Sequence, residues 1–312
     1  MRRTVAVVCI ALGVFSLVLA PLLRFWVAGA AMKAPLDQYS ETVNRGDDVT
    51  YFSAQDLEQV DHATVEAYTT VRGDVAASDA DIAVWDQFTW VKDVDEDFAF
   101  LSTSRRAGHD RVTGEAVDCC DASVNEEPVK QKGQAFKFPF LTEKKDYEFF
   151  DTATRQTLPI RFEGEETLDV DGEQIDTYKF VQVVEPTKIE ERTLPKSLLD
   201  MDGDGDATAD VMYNVTRTYW IEPTTGAPID LLESQHRGAF VDGEERLVMF
   251  DGDMRFTDET IKSNVETAAE GASLIPLVRT TIPLVLLVTG VALVALGGIL
   301  LATARTAAHG KR

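Results

Sequence analysis

The chain has 312 residues, and its 53 acidic residues outnumber 30 basic ones to give a net charge of −23. This balance opposes binding to nucleic acid and to bare anionic lipid by simple electrostatics. Three cysteines are too few for a miniature domain held together by disulfides, so the chain must bury an ordinary hydrophobic core.

The first predicted element is an apolar segment at residues 4–23. It holds no charge and is long enough, as a helix, to cross the roughly 30 Å hydrocarbon core of a bilayer. The arginines at 2–3 predict a cytoplasmic N-terminus, and the Arg-Phe-Trp sequence at 24–26 is typical of interfacial anchors. Two interpretations stay open, a retained transmembrane helix and a secretory signal cleaved near the small residues 28–30.

The middle of the chain, residues 33–281, carries a net charge of −29, because the flanks 1–32 and 282–312 hold six bases and no acid. We expect a polar stalk at 33–48 and then strands, since short runs rich in Val, Thr, Tyr, Phe and Trp alternate with turn residues. This spacing favours antiparallel meanders over βαβ units. The predicted strands are 64–71, 82–91, 98–102, 147–150, 160–162, 177–184, 213–221, 229–232, 237–241 and 247–250.

The predicted fold is therefore α+β, with a mainly antiparallel β ectodomain, as a broad sheet or half-barrel, flanked by two transmembrane helices. Asp-Gly pairs at 171–172, 242–243 and 251–252 predict hairpin turns. An acid-initiated turn between two strands recurs at 150–160 and 221–229, and more weakly at 110–115. The recurrence indicates either a repeated unit that curls into the sheet or three unrelated hairpins.

Two adjacent cysteines, Cys119 and Cys120, follow the weakest of these turns. Cys9 lies inside the first apolar segment and is out of their reach. In an oxidising compartment the adjacent pair can form a vicinal disulfide, pair between molecules or stay free. We favour the vicinal disulfide, which would stiffen this turn. A redox switch is a further alternative, because strained disulfides are reduced more easily.

The most specific local signal is an aspartate-rich loop with Gly at the sixth position, as in the first half of a calcium-binding loop. The twelfth position holds Val211 instead of a bidentate glutamate. We expect either a structural Ca²⁺ site, which would be the only cofactor, or a solvated acidic turn. The candidate metal ligands are Asp200, Asp202, Asp204, Asp206 and Asp210.

Two elements complete the chain. Residues 257–274 predict a helix, with Thr257 as its cap and acids in its first turn. Residues 282–302 form a second apolar segment of membrane-spanning length, and the bases Arg305, Lys311 and Arg312 follow it. Bases at both ends predict a two-pass protein of the plasma membrane with cytoplasmic termini and with residues 33–281 outside.

Catalytic signals are missing from the sequence, which has no nucleophile elbow, zinc-protease or phosphate-loop motif. We therefore expect a protein that is not an enzyme. One basic island stands out in the acidic domain, where His109 lies near Arg105, Arg106 and Arg111. It can either recognise an anionic headgroup or balance local charge.

Several parts of the chain together carry a resemblance to known proteins. They are the first apolar segment, 110–117 with 119–120, 137–140 with Tyr147, 150–151, 178–180 leading to 185–187, and the second apolar segment. Through them nearly the whole chain resembles a family of actinobacterial envelope proteins known as the porin PorA family. The resemblance implies a cell-envelope location and assigns no catalytic residues. Because the predicted strands are short and rich in acids, we expect the two helices, not a spanning β-barrel, to contact the membrane.

The layout of two terminal spans around a large β ectodomain also resembles the scavenger receptor class B family, whose members bind lipids and conduct them through an ectodomain tunnel. This second resemblance implies a membrane-embedded, non-enzymatic protein that binds or helps to transport a lipid or another envelope component. The alternatives are a structural or assembly protein without a small ligand, and a porin or channel-associated protein. The sequence names no protein partner and predicts no nucleic-acid partner.

Overall fold

The computed structural model describes the backbone of residues 2–309 and the side chains up to residue 303. Lys311 and Arg312 lie outside the described residues, as does the side chain of Arg305. The chain divides into two compact units, the terminal helical segments up to Lys33 and from Glu270, and the middle region Ala34–Ala269.

Two helical segments are long and apolar enough to cross a membrane, Arg2–Ala31 and Asp258–Thr303. Short π-helical stretches interrupt both. The helices are α1 (Arg2–Pro21), α2 (Ala28–Ala31), α3 (Asp258–Pro276) and α4 (Ile282–His309), and the π-helical stretches are Leu22–Val27 and Leu277–Thr281.

Helices α1 and α4 pack closely as an antiparallel pair, and glycines make the approach possible. A Cβ on Gly13 would lie 2.7 Å from the backbone oxygen of Gly290, and one on Gly297 would lie 2.8 Å from that of Ala6. Small residues at such contacts let helix backbones approach and gain van der Waals packing where no hydrophobic effect drives association.

The middle region is one 13-stranded sheet, nearly all antiparallel. Nine of its strands are 12 to 23 residues long, longer than predicted. The strands are β1 (Tyr39–Ser53), β2 (Glu58–Gly73), β3 (Ile82–Asp93), β4 (Phe98–Asp110), β5 (Ala116–Val117), β6 (Ser123–Val124), β7 (Glu127–Pro128), β8 (Tyr147–Asp151), β9 (Gln156–Val170), β10 (Glu173–Pro195), β11 (Asp206–Ile221), β12 (Pro228–Val241) and β13 (Glu244–Phe256).

The sheet rolls into a half-barrel in the order β7-β6-β4-β3-β2-β1-β13-β12-β11-β10-β9-β8, with β5 beside β4. Residues 133–135, which we call the strap, join its two ends. On one side Ala116 N donates to Gly133 O at 2.8 Å, and on the other Gln134 N donates to Glu148 O at 2.6 Å. The predicted α+β class and the antiparallel half-barrel are confirmed.

Three local predictions were wrong. The expected stalk at 33–48 contains most of β1, which pairs with β2 and β13 at the centre of the sheet. Asp251-Gly252 lies inside β13, where Gly252 allows close contact with Val49, while the other two Asp-Gly pairs form the expected turns with positive φ. The predicted strands are too short because they end where the apolar residues end. The backbone hydrogen bonds of the sheet continue beyond them, through residues whose polar side chains lie on a face outside the packed core.

The acid-initiated turn recurs four times, one more than the sequence suggested, and a fifth turn of the same form begins with Ser53. In each, the side chain of the first residue accepts hydrogen bonds from the amides two or three positions on, and the fifth residue has positive φ. The turns are 53–57, 93–97, 110–114, 151–155 and 222–226.

Candidate functional site

A cavity of about 1330 Å³ lies within the middle region, on the concave side of the half-barrel. Its walls come from most of the long strands, from residues 135–140 after the strap and from the first turns of α3. The predicted helix 257–274 is confirmed in α3, where Thr257 Oγ1 accepts a hydrogen bond from Thr260 N at 3.2 Å. Its residues Ser263 and Asn264 line the cavity.

Strand register places polar side chains in rows across one wall of the cavity. Thr42, Thr69, Thr89 and Thr103 are partners on β1 to β4, and the hydroxyls of Thr69 and Thr89 lie 2.8 Å apart. A neighbouring row contains Arg105, which is the partner of Gln87 on β3. Because all these residues line the cavity, this wall presents hydrogen-bonding groups to any ligand.

The opposite part of the wall is aromatic. Phe138, Phe149 and Tyr219 line the cavity and pack as one cluster, with ring centroids of Phe149 and Tyr219 5.4 Å apart. Aromatic rings provide large apolar contact areas. The cavity is therefore amphiphilic, with one polar and one aromatic part of its wall.

The charge of the cavity wall is opposite in sign to that of the protein. Seven basic residues and four acidic residues line it, whereas the chain carries −23 overall. A low-dielectric cleft lined by one sign of charge concentrates ligands of the other sign. The bases are Arg105, Lys137, Arg155, Lys188, Arg192, Arg217 and Arg237, and the acids are Glu41, Glu127, Glu190 and Glu233.

Arg217 on β11 is the best-paired of these bases. It bonds the fully buried Asp151 at 2.5 Å, Glu233 at 2.5 Å and Tyr213 Oη at 2.6 Å. Burial opposes its charge, but the surrounding acids and phenols hold the pKa of Arg217 well above its usual value. Burial also opposes ionisation of Asp151, yet Arg217 and Thr154 lower the pKa of that carboxyl. These ion pairs join β11 to β8 and β12 within the cavity wall.

Arg105 on β4 is held without any acid. Its Nε donates to Gln131 Oε1 at 2.8 Å and its Nη1 to the Ala135 carbonyl at 3.0 Å. The guanidinium lies 4.7 Å from the Phe136 ring centroid and 5.1 Å from that of Phe150. Nη2 has no hydrogen-bond partner, and burial lowers the pKa of Arg105 to about 10.

Lys137 and Arg237 complete the set of unpaired cations. Lys137 Nζ is buried without a hydrogen-bond acceptor, 3.7 Å from the Phe140 ring centroid, and burial lowers the pKa of Lys137 to about 7. Arg237 lies 5.5 Å from the Tyr213 ring, and its Nε has no partner. Among the described residues, neither cation forms an ion pair with a carboxylate.

The predicted basic island separates in the structure. Arg106 is ion-paired with Asp74 and Asp86, each at 2.7 Å, and Arg111 donates to the Ala34 carbonyl at 2.7 Å. His109 is fully buried, and burial lowers its pKa to about 3. Only Arg105 of the four lines the cavity.

The aspartate-rich loop does not gather its carboxylates. Among residues the structure describes, no group of three His, Cys, Asp or Glu side chains is placed to hold a metal ion. Asp210 lies within β11 and pairs with Lys188 at 2.8 Å, while Asp206 begins that strand. Gly203 and Gly205 both have positive φ, so the backbone conformation of the loop is enough to explain why glycine occurs at these two positions. Calcium binding at Asp200, Asp202, Asp204, Asp206 and Asp210 stays a prediction.

Cys119 and Cys120 are joined by a disulfide in the structure. The pair packs on β4, where a Cβ on Gly108 would lie 2.5 Å from Cys119 Sγ. It stands outside the cavity wall, so it shapes the chain beside β4 and contributes no group to the site.

Most of the site was missed by sequence reasoning. In the sequence, Arg105 belongs to the predicted basic island and Lys137 to the family motif at 137–140, and no motif marks Arg217 or Arg237. The available signal was alternation, since Leu101, Thr103 and Arg105 share one face of β4. A half-polar inner face looks like a solvent-exposed face until the register is known.

Comparison with known proteins identifies the family. The family model described as Porin PorA matches residues 5–299. A Porin PorA of Corynebacterium resistens is 38% identical over 77 residues, which cover 25% of this chain and 17% of that protein. A Porin PorA of Corynebacterium amycolatum is 23% identical over 168 residues, 45% of this chain and 39% of that protein. The matches thus cover less than half of either relative.

The chain belongs to the PorA porin family, because the family model matches nearly its whole length. Porins are not enzymes, and the family together with the two apolar helices points to the membrane or cell envelope as its location.

Proposed function

We propose that this chain is a two-pass envelope protein whose extracytoplasmic half-barrel binds an amphiphilic envelope component and assists its transport. The antiparallel pairing of α1 and α4 supports the two-pass arrangement, since it puts the start of α1 and the end of α4 on one side. The bases at the two chain ends favour the cytoplasm for that side and the cell exterior for residues 34–269.

One observation carries the proposal, the cavity of about 1330 Å³ with one aromatic wall and one polar wall. A cavity somewhat above the usual 300–1,000 Å³ of small-molecule sites can accommodate a lipid-sized ligand. The aromatic cluster around Phe138 would contact the apolar part of such a ligand, and the threonine row its polar part. A core filled by side chains would have excluded this function.

Lipids that co-purify with the full-length protein test the proposal. Thr69 lines the cavity, and Thr70 follows it on the opposite face of β2. Thr69→Trp fills cavity space, whereas Thr70→Trp makes the same change outside and leaves the membrane helices unaltered. Mass spectrometry should find a lipid that is lost from Thr69→Trp and retained in Thr70→Trp and wild type. Identical lipid profiles for all three would refute the proposal.

A channel is the second candidate, favoured by the family name and by the hydrogen-bonding rows that line the cavity. The exposed face of β9 carries Arg161, Glu163 and Glu165, which a lipid-facing strand does not tolerate. A pore would therefore use the apolar helices or lead through the half-barrel itself. Conductance of purified protein in planar bilayers, blocked by Thr69→Trp, would favour the channel over binding.

A further inference from the structure

Two buried cations in the cavity wall form no ion pair. Arg105 is 6% exposed and Lys137 is 9% exposed, and neither forms an ion pair with an acid among the described residues. Lys and Arg are almost never this buried unless paired, because desolvation of a charge is expensive. The charge of Asp110 raises the pKa of Lys137 but Asp110 forms no ion pair with it. In a domain with so many acids, the lack of an ion-pairing carboxylate at these two cations is a property of the site.

The two cations are linked through residues 135–137, which continue from the strap. Arg105 bonds the carbonyl of Ala135 and lies against the ring of Phe136, the residue before Lys137. His109 follows Arg105 by four residues on β4, and the positive charges of Lys137 and Arg105 both help to lower its pKa. Hydrogen bonds to Gln131 and Ala135 fix the guanidinium and leave Nη2 unused.

We propose that Arg105 and Lys137 bind the anionic headgroup of the amphiphile in the cavity, a carboxylate or a phosphate, whose apolar part lies against the aromatic wall. This inference rests on the proposed function and adds the charge class of the ligand. Arg105 Nη2 and Lys137 Nζ are buried cationic donors without acceptors, so an anion would give each of them a hydrogen-bond partner. Charge-assisted hydrogen bonds of this type are about twice as strong as neutral ones.

The remaining wall fits the same ligand. Phe150 lies beside the Arg105 guanidinium, and Phe138 and Phe149 continue the apolar surface from it. Arg217 is not available to bind the headgroup, because its guanidinium already forms ion pairs with Asp151 and Glu233. Burial lowers the pKa of Lys137 to about 7, and a bound anion would favour its charged form.

Full-length protein in a non-ionic detergent provides the test, with oleate, methyl oleate and phosphatidylglycerol as probes and native mass spectrometry as the readout. Oleate and methyl oleate share an apolar chain and differ in charge. Lys137→Met and Arg105→Gln should each weaken oleate binding by about tenfold, the equivalent of one charge-assisted hydrogen bond. Binding of methyl oleate should stay unchanged in both.

Two controls separate charge from folding. Lys144→Met makes the same substitution at an exposed lysine outside the cavity wall and should bind oleate as wild type does. Arg105→Lys keeps a cation and should recover part of the affinity that Arg105→Gln loses. Because Lys137 Nζ makes no hydrogen bond, Lys137→Met removes the charge without breaking a hydrogen bond that the fold uses.

The outcomes distinguish this inference from the proposed function. Equal binding of oleate and methyl oleate by wild type, or full oleate affinity in Lys137→Met and Arg105→Gln, would overturn the anion site and leave an amphiphile cavity standing. Binding of none of the three probes would overturn both. Preference for oleate over phosphatidylglycerol would support a free acid, and the reverse preference a phospholipid headgroup.

Discussion

Replacing Lys137 by methionine is expected to stabilise the protein. Burial lowers the pKa of Lys137 from 10.5 to about 7, so holding the charged ammonium in the folded state is disfavoured by about 5 kcal/mol. Contact with the Phe140 ring, 3.7 Å away, offsets about 2 kcal/mol of this. Methionine keeps the packing of the stem and removes the charge, so the net gain in unfolding free energy is about 3 kcal/mol.

The gain depends on pH with a definite sign. Because the folded-state pKa of Lys137 lies below the unfolded value, the unfolded chain binds more protons between about pH 7 and 10.5. The unfolding free energy of the wild type should therefore rise with pH across this window, and the advantage of Lys137→Met should be full at pH 6 and nearly gone by pH 10.

Thermal unfolding of the full-length protein in detergent, followed by tryptophan fluorescence, measures this difference. For a domain of this size, about 3 kcal/mol corresponds to a melting temperature about 6–12 °C higher for Lys137→Met at pH 6. Lys144→Met should melt as wild type does. A Lys137→Met variant that melts below wild type at pH 6, or shows the same pH slope, would refute the reasoning that Lys137 is an uncompensated buried cation.

Three further changes have expected outcomes. Asp151→Asn removes one counter-charge of the buried Arg217. It should lower the unfolding free energy, measured by denaturant titration, by about 3 kcal/mol. An unchanged unfolding midpoint would contradict a stabilising role for this ion pair. Gly13→Leu should lower the melting temperature, because its Cβ would lie 2.7 Å from a backbone oxygen of α4, whereas Gly29→Leu should not, since nothing lies within 4 Å. A calcium site at 200–206 predicts that 10 mM Ca²⁺ adds about 1.4 kcal/mol of stability if the dissociation constant is about 1 mM; equal melting curves with calcium and with chelator would count against it.

The parts of the fold that depend on local chemistry could be predicted from the sequence. The hairpins at Asp171-Gly172 and Asp242-Gly243 follow from two residues that accept positive φ. The cap of α3 at Thr257 follows from a hydroxyl before an acidic first turn. The acid-capped turns follow from side chains that bond amides two or three residues on.

The parts that depend on long-range register could not be predicted. The central position of β1 is set by its pairing with β13, about 200 residues later in the chain. Arg105 meets the strap only because the sheet curls until its two ends approach. Asp251-Gly252 has the sequence of a turn, yet β13 continues through it because β1 packs Val49 against the glycine. Such contacts leave no pattern within any short window.

Photo-crosslinking tests the central claim most directly, that the half-barrel cavity holds an amphiphile. A fatty acid with a diazirine on its chain would be irradiated with the full-length protein, and the adducts mapped by mass spectrometry. The cavity predicts adducts on β2, β3 and residues 135–140, lost in Thr69→Trp and kept in Thr70→Trp. Adducts confined to the apolar helices, and equal in the two variants, would contradict it.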